Sequence, residues 1–263
     1  MGTRLNALPR KRPQSIRETV IYLYGVTLPE KTGAQGASIA AVGIDGSAAV
    51  DSEGVAGLVC WFSRVSKREF ADKLAENMEN LDWLSVAGVR HQKAVSEIAR
   101  RTTILPTRFG TIFLTLVSLE ADIKRRKAFL LRDLKRFQGS DEWGIKVFAL
   151  PQARPAIVAS SGSDYLRQKA AQQQSQRPSD GKLALDIKKF SGALKKISTA
   201  AVEQLGKISS GRPDLEWQAS FLIARPKQKE LQKILKRFSD LWEGRRRIEC
   251  TGPSPPYSFV NKS

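Results

Sequence analysis

No apolar run in this chain approaches the roughly 18–20 residues that a membrane-spanning helix needs, so no segment reads as a transmembrane span. Cysteine is nearly absent. The 263 residues hold two, Cys60 and Cys250, far apart and each within a predicted strand. That pattern fits reduced, packed thiols better than a disulfide framework. There is one histidine, His91, with no cysteine near it in sequence, which gives a metal site little support. The glycines near Gly43 and Gly46 lack the lysine and hydroxyl of a phosphate loop and the spacing of a dinucleotide fingerprint. No Gly-x-Ser-x-Gly elbow occurs, and a Ser-His-Asp site would have to use His91, which falls inside a predicted helix stripe. Paired carboxylates such as Asp141–Glu142 and Glu76–Glu79 read as solvated or helix-end charges. These absences speak against an enzyme, a bound cofactor and a metal.

What the chain has in excess is positive charge, a net +18 from 44 lysines and arginines against 26 acids. Such a field attracts nucleic acid, anionic membrane and acidic proteins without choosing among them. The cations occur in runs such as Lys124–Lys127 and Arg245–Arg247 and on most predicted helices, as on an ordinary solvated surface. Nucleic acid is therefore a partner only through non-specific charge. Residues 1–17 are basic, contain two prolines and lack an apolar h-region, so they read as a disordered lead-in and not as a secretory signal. The length suits one large domain or two ordinary ones and buries roughly 70–75% of the unfolded surface without staples.

Along the chain, Val20–Val26 reads as a strand by its β-branched and aromatic content. Lys31–Ser38 is a loop, Ile39–Ile44 a strand closed by the Asp45–Gly46 turn, and Gly57–Phe62 a third, central strand. Ser66 and Glu69 have capping-box spacing, flanked by Val65 and Phe70, and Phe70, Leu74, Met78 and Leu81 follow at helical spacing. A second helix from Asp82 sets Trp83, Ala87, His91, Ala94 and Ile98 on one face, with His91 as a core-edge residue bonded to a neighbour. A third, capped by Ser118, turns Leu119, Ile123, Leu130, Leu134 and Phe137 inward and ends at Gly139. Trp143–Leu150 is a strand. A break is expected across Gln172–Gly181, and after it an apolar stripe at Leu183, Ile187, Phe190, Leu194, Ile197, Ala201, Leu205 and Ile208 predicts one long helix. That helix either packs within its own domain or exposes a seam to a partner helix. Leu215–Ile223 alternates as a half-buried strand. Leu231, Ile234, Leu235, Phe238, Leu241 and Trp242 line a helix entered at Pro226 and ended by Gly244, and Arg247–Thr251 is a last strand.

The most informative stretch is Ile104–Phe113, ILPTRFGTIF. Pro106 ends the preceding helix, and Arg108 places a cation inside an apolar segment. That cation must reach solvent, find a carboxylate or carbonyl, or cost several kcal/mol; a carboxylate or carbonyl partner is expected. Further on come EWGIKV (Glu142–Val147), GSDYLRQK (Gly162–Lys169) and TGPSPPYSF (Thr251–Phe259). Taken in this order, with YLYGV near the start and a tryptophan-led helix ending in His91, the chain resembles the gas vesicle protein L/F family from about Val20 to Val260. The family usually has an aromatic where Ser254 stands.

The resemblance implies an accessory protein of gas vesicle formation, cytoplasmic and associated with the vesicle, that binds shell protein and other accessory proteins and uses no cofactor. An amphipathic shell subunit calls for apolar grooves with charged rims. The fold class is α+β in two domains. Residues 18–140 are expected to form a sheet with helices on one face, which the resemblance implies is a ferredoxin-like variant, 141–250 a helix-rich α+β domain, and 251–263 a proline-rich tail. The motif residues expected to matter structurally are Arg108, Phe109, Gly110, Trp143, Gly144, Pro255, Pro256, Tyr257 and Phe259, with Phe109 and Trp143 in the core. The prolines keep the tail extended, so Tyr257 and Phe259 point to one side and dock in one apolar groove of the first domain. The same proline spacing also suits a ligand for another protein's groove. A basic nucleic-acid-binding α+β protein is the second functional hypothesis, though no RNP-like aromatic pair or helix-turn-helix is recognisable.

Overall fold

A strand that is apolar on both sides has to be covered on both sides, and Val20–Val26 is such a strand. In the computed structural model it forms β1 (Thr19–Thr27), buried at every position after the first. The structure describes residues 18–29, 39–151, 161–164, 166–167, 180–203, 212 and 214–260. A six-stranded antiparallel sheet is built around β1. The meander β2 (Ile39–Val42), β3 (Ala49–Val55) and β4 (Leu58–Ser66) ends on one edge of β1, and β5 (Ile104–Pro106) and β6 (Ile112–Phe113) both pair with the other. Strand β3 is additional to the expectation. Its Asp51-Ser52-Glu53-Gly54 core is poor strand sequence and is held by pairing with β4.

The capping box expected at Ser66 does not form, because Ser66 is still in β4. A π-helical turn, Arg68–Asp72, follows without a side-chain cap, and Glu69 accepts a hydrogen bond from Trp83 Nε1 at 3.0 Å instead. Helix α1 (Leu74–Glu79) leaves Met78 exposed, and Leu81 beyond its end is exposed too, not inward. Helix α2 (Leu81–Arg101) is capped by Asn80, whose side chain accepts from Asp82 and Trp83 N–H, and buries Ala87, His91, Ala94 and Ile98 as its spacing predicts. Helix α3 (Leu116–Phe137) starts at Thr115, with Ser118 the third-position partner of a reciprocal capping box. Gly139, at φ +70°, turns the chain out of it.

The helices lie on both faces of this sheet, not on one. Val20, Tyr22 and Tyr24 pack with α2, while Ile21, Leu23 and Val26 pack with α3. Alternate residues of a strand face opposite ways, and both sets in β1 are apolar.

The second sheet comprises β7 (Ser140–Ala149), β8 (Ser198–Glu203), β9 (Leu215–Ala224) and β10 (Arg246–Ser254), in the order β10-β7-β9-β8. Helix α4 (Asp180–Ile197) precedes β8 and α5 (Gln228–Leu241) precedes β10. These connections are those of a split β-α-β unit; the first sheet, where ferredoxin-like order is expected, is the meander described above. Phe190 and Leu194 of α4, Leu231 and Phe238 of α5, and Trp242 cover one face, over Ile145, Val147, Phe221 and Ile223. Leu241 is exposed. The expected long helix stops at Ile197, where the chain enters β8 and places Ala201 in a strand. Leu205 and Ile208 lie outside the described residues, as do the Lys31–Ser38 loop, Tyr165, Gln168 and Lys169 of the Gly162–Lys169 motif, and nearly all of the Gln172–Gly181 break. Cys60 is buried, which pushes its thiol up to about 12, whereas Cys250 is exposed and not packed as expected. No helix among the described residues is long and apolar enough to cross a membrane.

Candidate functional site

Residues 107–111 bridge two short strands that pair with the same edge of β1, so the segment between them must loop away from the sheet. It is pinned at several points. Thr107 N–H donates to Tyr24 O at 2.9 Å, Thr107 Oγ1 to Leu23 O at 2.5 Å, and Leu23 N–H to Thr111 O at 3.0 Å. Thr111 Oγ1 donates to Arg108 O at 2.7 Å, and Gly110, at φ +81°, supplies the left-handed residue that closes the turn. Gly25 permits the approach of β5: a Cβ there would lie 2.6 Å from both Ile104 Cδ1 and Leu105 O. The turn resolves the cation by exposure. Arg108 is exposed, and its guanidinium has no carboxylate or carbonyl partner among the described residues, contrary to expectation.

Phe109 turns the other way, into a ring cluster with Tyr22, Trp83 and His91 at centroid distances of 6.3, 6.1 and 5.8 Å. It is half-buried there, not core. Gly110 N–H donates to Tyr22 Oη at 3.2 Å, and Tyr22 Oη lies 2.9 Å from His91 Nδ1. With the Tyr22 hydroxyl proton given to Nδ1, the imidazole carries its own on Nε2. Burial lowers the His91 pKa to about 4, so the ring is neutral at pH 7. The neighbour bond expected for His91 is thus to Tyr22.

The C-terminal tail reaches this region from the second sheet. β10 extends through Gly252 and Pro253 to Ser254, then Pro255 and Pro256 are buried. The tail docks, but it does not stay extended. Phe259 and Val260 N–H both bond Pro256 O, making a helical turn. Tyr257 and Phe259 consequently part, one into the α2-side cluster and the other into the α3-side cluster against Phe137.

The turn is held by a residue expected to be a solvated charge. Glu142, 7% exposed, accepts from Ser258 N–H at 2.8 Å and from Ser258 Oγ at 2.6 Å. Ser254 Oγ adds a bond to Glu142 O at 3.1 Å. Trp143, one place along β7, is half-buried rather than core and packs with the helix-covered face of its sheet. Gly144 lets β10 close on β7, since a Cβ there would lie 2.7 Å from Thr251 Oγ1.

These elements enclose a cleft of about 580 Å³ between the two sheets. One wall is Val26, Leu105 and Pro106 with the Arg108 turn; α3 contributes Arg126, Leu130 and Arg136; β8 contributes Ala200–Val202; the tail from Tyr257 to Val260 closes it. Arg108, Tyr257 and Phe259 thus meet in one site, with Phe109 and Gly110 behind the turn and Trp143 and Gly144 on the strand that holds the tail. Arg126, Arg136 and Glu142 are functional candidates that sequence reasoning did not single out, although Glu142 opens the EWGIKV motif. Alternation places Glu142 on the face of β7 away from α4 and α5, a signal of its face but not of its partner. Among the described residues, no group of His, Cys, Asp and Glu could hold a metal ion.

The fold has solved counterparts. Gas vesicle protein GvpF from Anabaena sp. PCC7120 superposes with a TM-score of 0.64 at 17% identity, over 93% of this chain and 97% of that one. GvpF from Microcystis aeruginosa does so with a TM-score of 0.64 at 20% identity, over 92% and 99%. In sequence, the chain is 28% identical over 205 residues to gas vesicle protein L of Streptomyces sp. (strain CB03234), covering 71% of this chain and 73% of that protein. Residues 20–261 match the family model described as gas vesicle synthesis protein GvpL/GvpF, a span that takes in β1, the Arg108 turn, Glu142 and the docked tail. The chain belongs to the gas vesicle synthesis protein GvpL/GvpF family.

Proposed function

We propose that this protein is a non-catalytic accessory factor of gas vesicle formation, cytoplasmic and vesicle-associated, that binds the shell protein and other vesicle proteins during assembly. The observation that carries this reading is the cleft, an apolar floor with a basic rim built jointly from the Arg108 turn and the tail. An opening of that composition suits a protein partner better than a small polar substrate.

The test is capture of purified shell protein by the full chain, run beside binding to duplex DNA of arbitrary sequence across a salt series. Retained shell protein at physiological salt is the expected result. Binding to DNA alone, falling steeply with salt and without shell-protein capture, would leave the charge of +18 as the explanation and overturn the proposal.

A further inference from the structure

We infer that the cleft takes an acidic, extended segment of another protein as an added strand on β8. The inference deepens the assembly reading and rests on it for the statement that the partner is a vesicle protein. β8 is an edge strand, paired only with β9 among the described residues. Three consecutive residues of it, Ala200, Ala201 and Val202, line the cleft. Side chains alternate across a strand, so three in a row means that the cleft meets the strand along its edge, where unpaired backbone groups lie. The side chains there are small and Val202 is 39% exposed, so among the described residues that edge is open to another backbone.

Charge selects the occupant. Arg108, Arg126 and Arg136 stand around the opening. Of these, only Arg126 meets a carboxylate among the described residues, that of Asp122, while Arg136 lies over the Phe137 ring. Two of the three arginines at the cleft, Arg108 and Arg136, therefore have no anion among the described residues. The side chains of the segments outside the described residues cannot supply anions in number, because together they contain a single acid, Glu30. The complement is an outside segment alternating apolar side chains, set on Leu105, Leu130 and Phe259, with carboxylates for the rim.

The experiment uses the full chain and three synthetic peptides of about eight residues, roughly the length of a strand. One alternates valine and glutamate, one alternates valine and lysine, and one is glutamate throughout. Fluorescence anisotropy at physiological ionic strength should show binding of the valine–glutamate peptide, weakened about tenfold in Arg108→Glu and again in Arg136→Glu. Hydrogen exchange of residues 198–203 should slow in the complex. Equal affinity for the all-glutamate peptide, unchanged affinity in both variants, or unchanged exchange in β8 would each overturn the inference. Shell-protein capture without peptide binding removes this inference and keeps the assembly reading; peptide binding without shell capture does the reverse.

Discussion

Glu142 and Ser258 stand 116 residues apart in sequence and are joined by two hydrogen bonds, from the Ser258 N–H at 2.8 Å and its hydroxyl at 2.6 Å. The carboxylate lies in the first strand of the second sheet and the serine in the helical turn of the tail, so this pair fixes the wall of the cleft that the tail provides.

Removing one partner leaves a buried carboxylate short of a donor, which costs about 1–3 kcal/mol. Ser258→Ala should lower the unfolding free energy by that amount, seen as a lower urea midpoint, and Glu142→Ala should lower it by more, because the backbone N–H is then orphaned too. Midpoints equal to the parent in both variants would show that the clasp does not hold the tail.

Acid should weaken the fold through His91. Its pKa falls from 6.5 unfolded to about 4 folded, so between those values the unfolded chain binds a proton that the native ring refuses. Stability is fully present above pH 6.5 and is lost as pH falls toward 4, by about 3 kcal/mol in all. Urea unfolding at pH 7.5 and pH 5 should show a drop in the parent that is smaller in His91→Gln. An equal drop in both would assign it to other groups.

Phe109→Ala opens a half-filled site. Full burial of phenylalanine would put the loss at about 3–5 kcal/mol, and a ring that is part exposed should lose about 2. A loss below about 0.5 kcal/mol would place the ring outside the Tyr22–Trp83–His91 cluster.

The Tyr257 hydroxyl is buried without a hydrogen-bond partner among the described residues. Its removal in Tyr257→Phe should therefore leave stability unchanged or raise it by about 1 kcal/mol. A clear loss in thermal melts would mean that the hydroxyl is satisfied in solution.

The elements legible in sequence were those whose own periodicity decides them. α3 buried every residue that its spacing indicated, and α2 and β9 did so except at Trp83 and Trp217, which are half-buried. The misreadings share a cause, which is pairing imposed from outside the segment. β3 is a strand because β4 is beside it, and Ala201 continues a helical stripe by arithmetic while β9 holds it in a sheet. Ser66 had the spacing of a cap but was still paired with Thr19. At the site, the Arg108 turn could be located by its proline and glycine. The role of Glu142 could not, since a carboxylate on a strand looks the same whether water or Ser258 meets it.

The position of β1 also bears on how the chain acquires its structure. Tyr22 lies opposite Ser63 on one side and Ile112 on the other, so both edges of the first strand wait for residues translated long after it. Such non-local pairing makes folding slow. Until β4, β5 and β6 arrive, VIYLYGV is an uncharged, proline-free run of the kind that self-associates as amyloid-like strands. A nascent chain of this protein therefore carries its chief aggregation hazard at its most central strand, and its yield in a cell should depend on how long that strand is shielded.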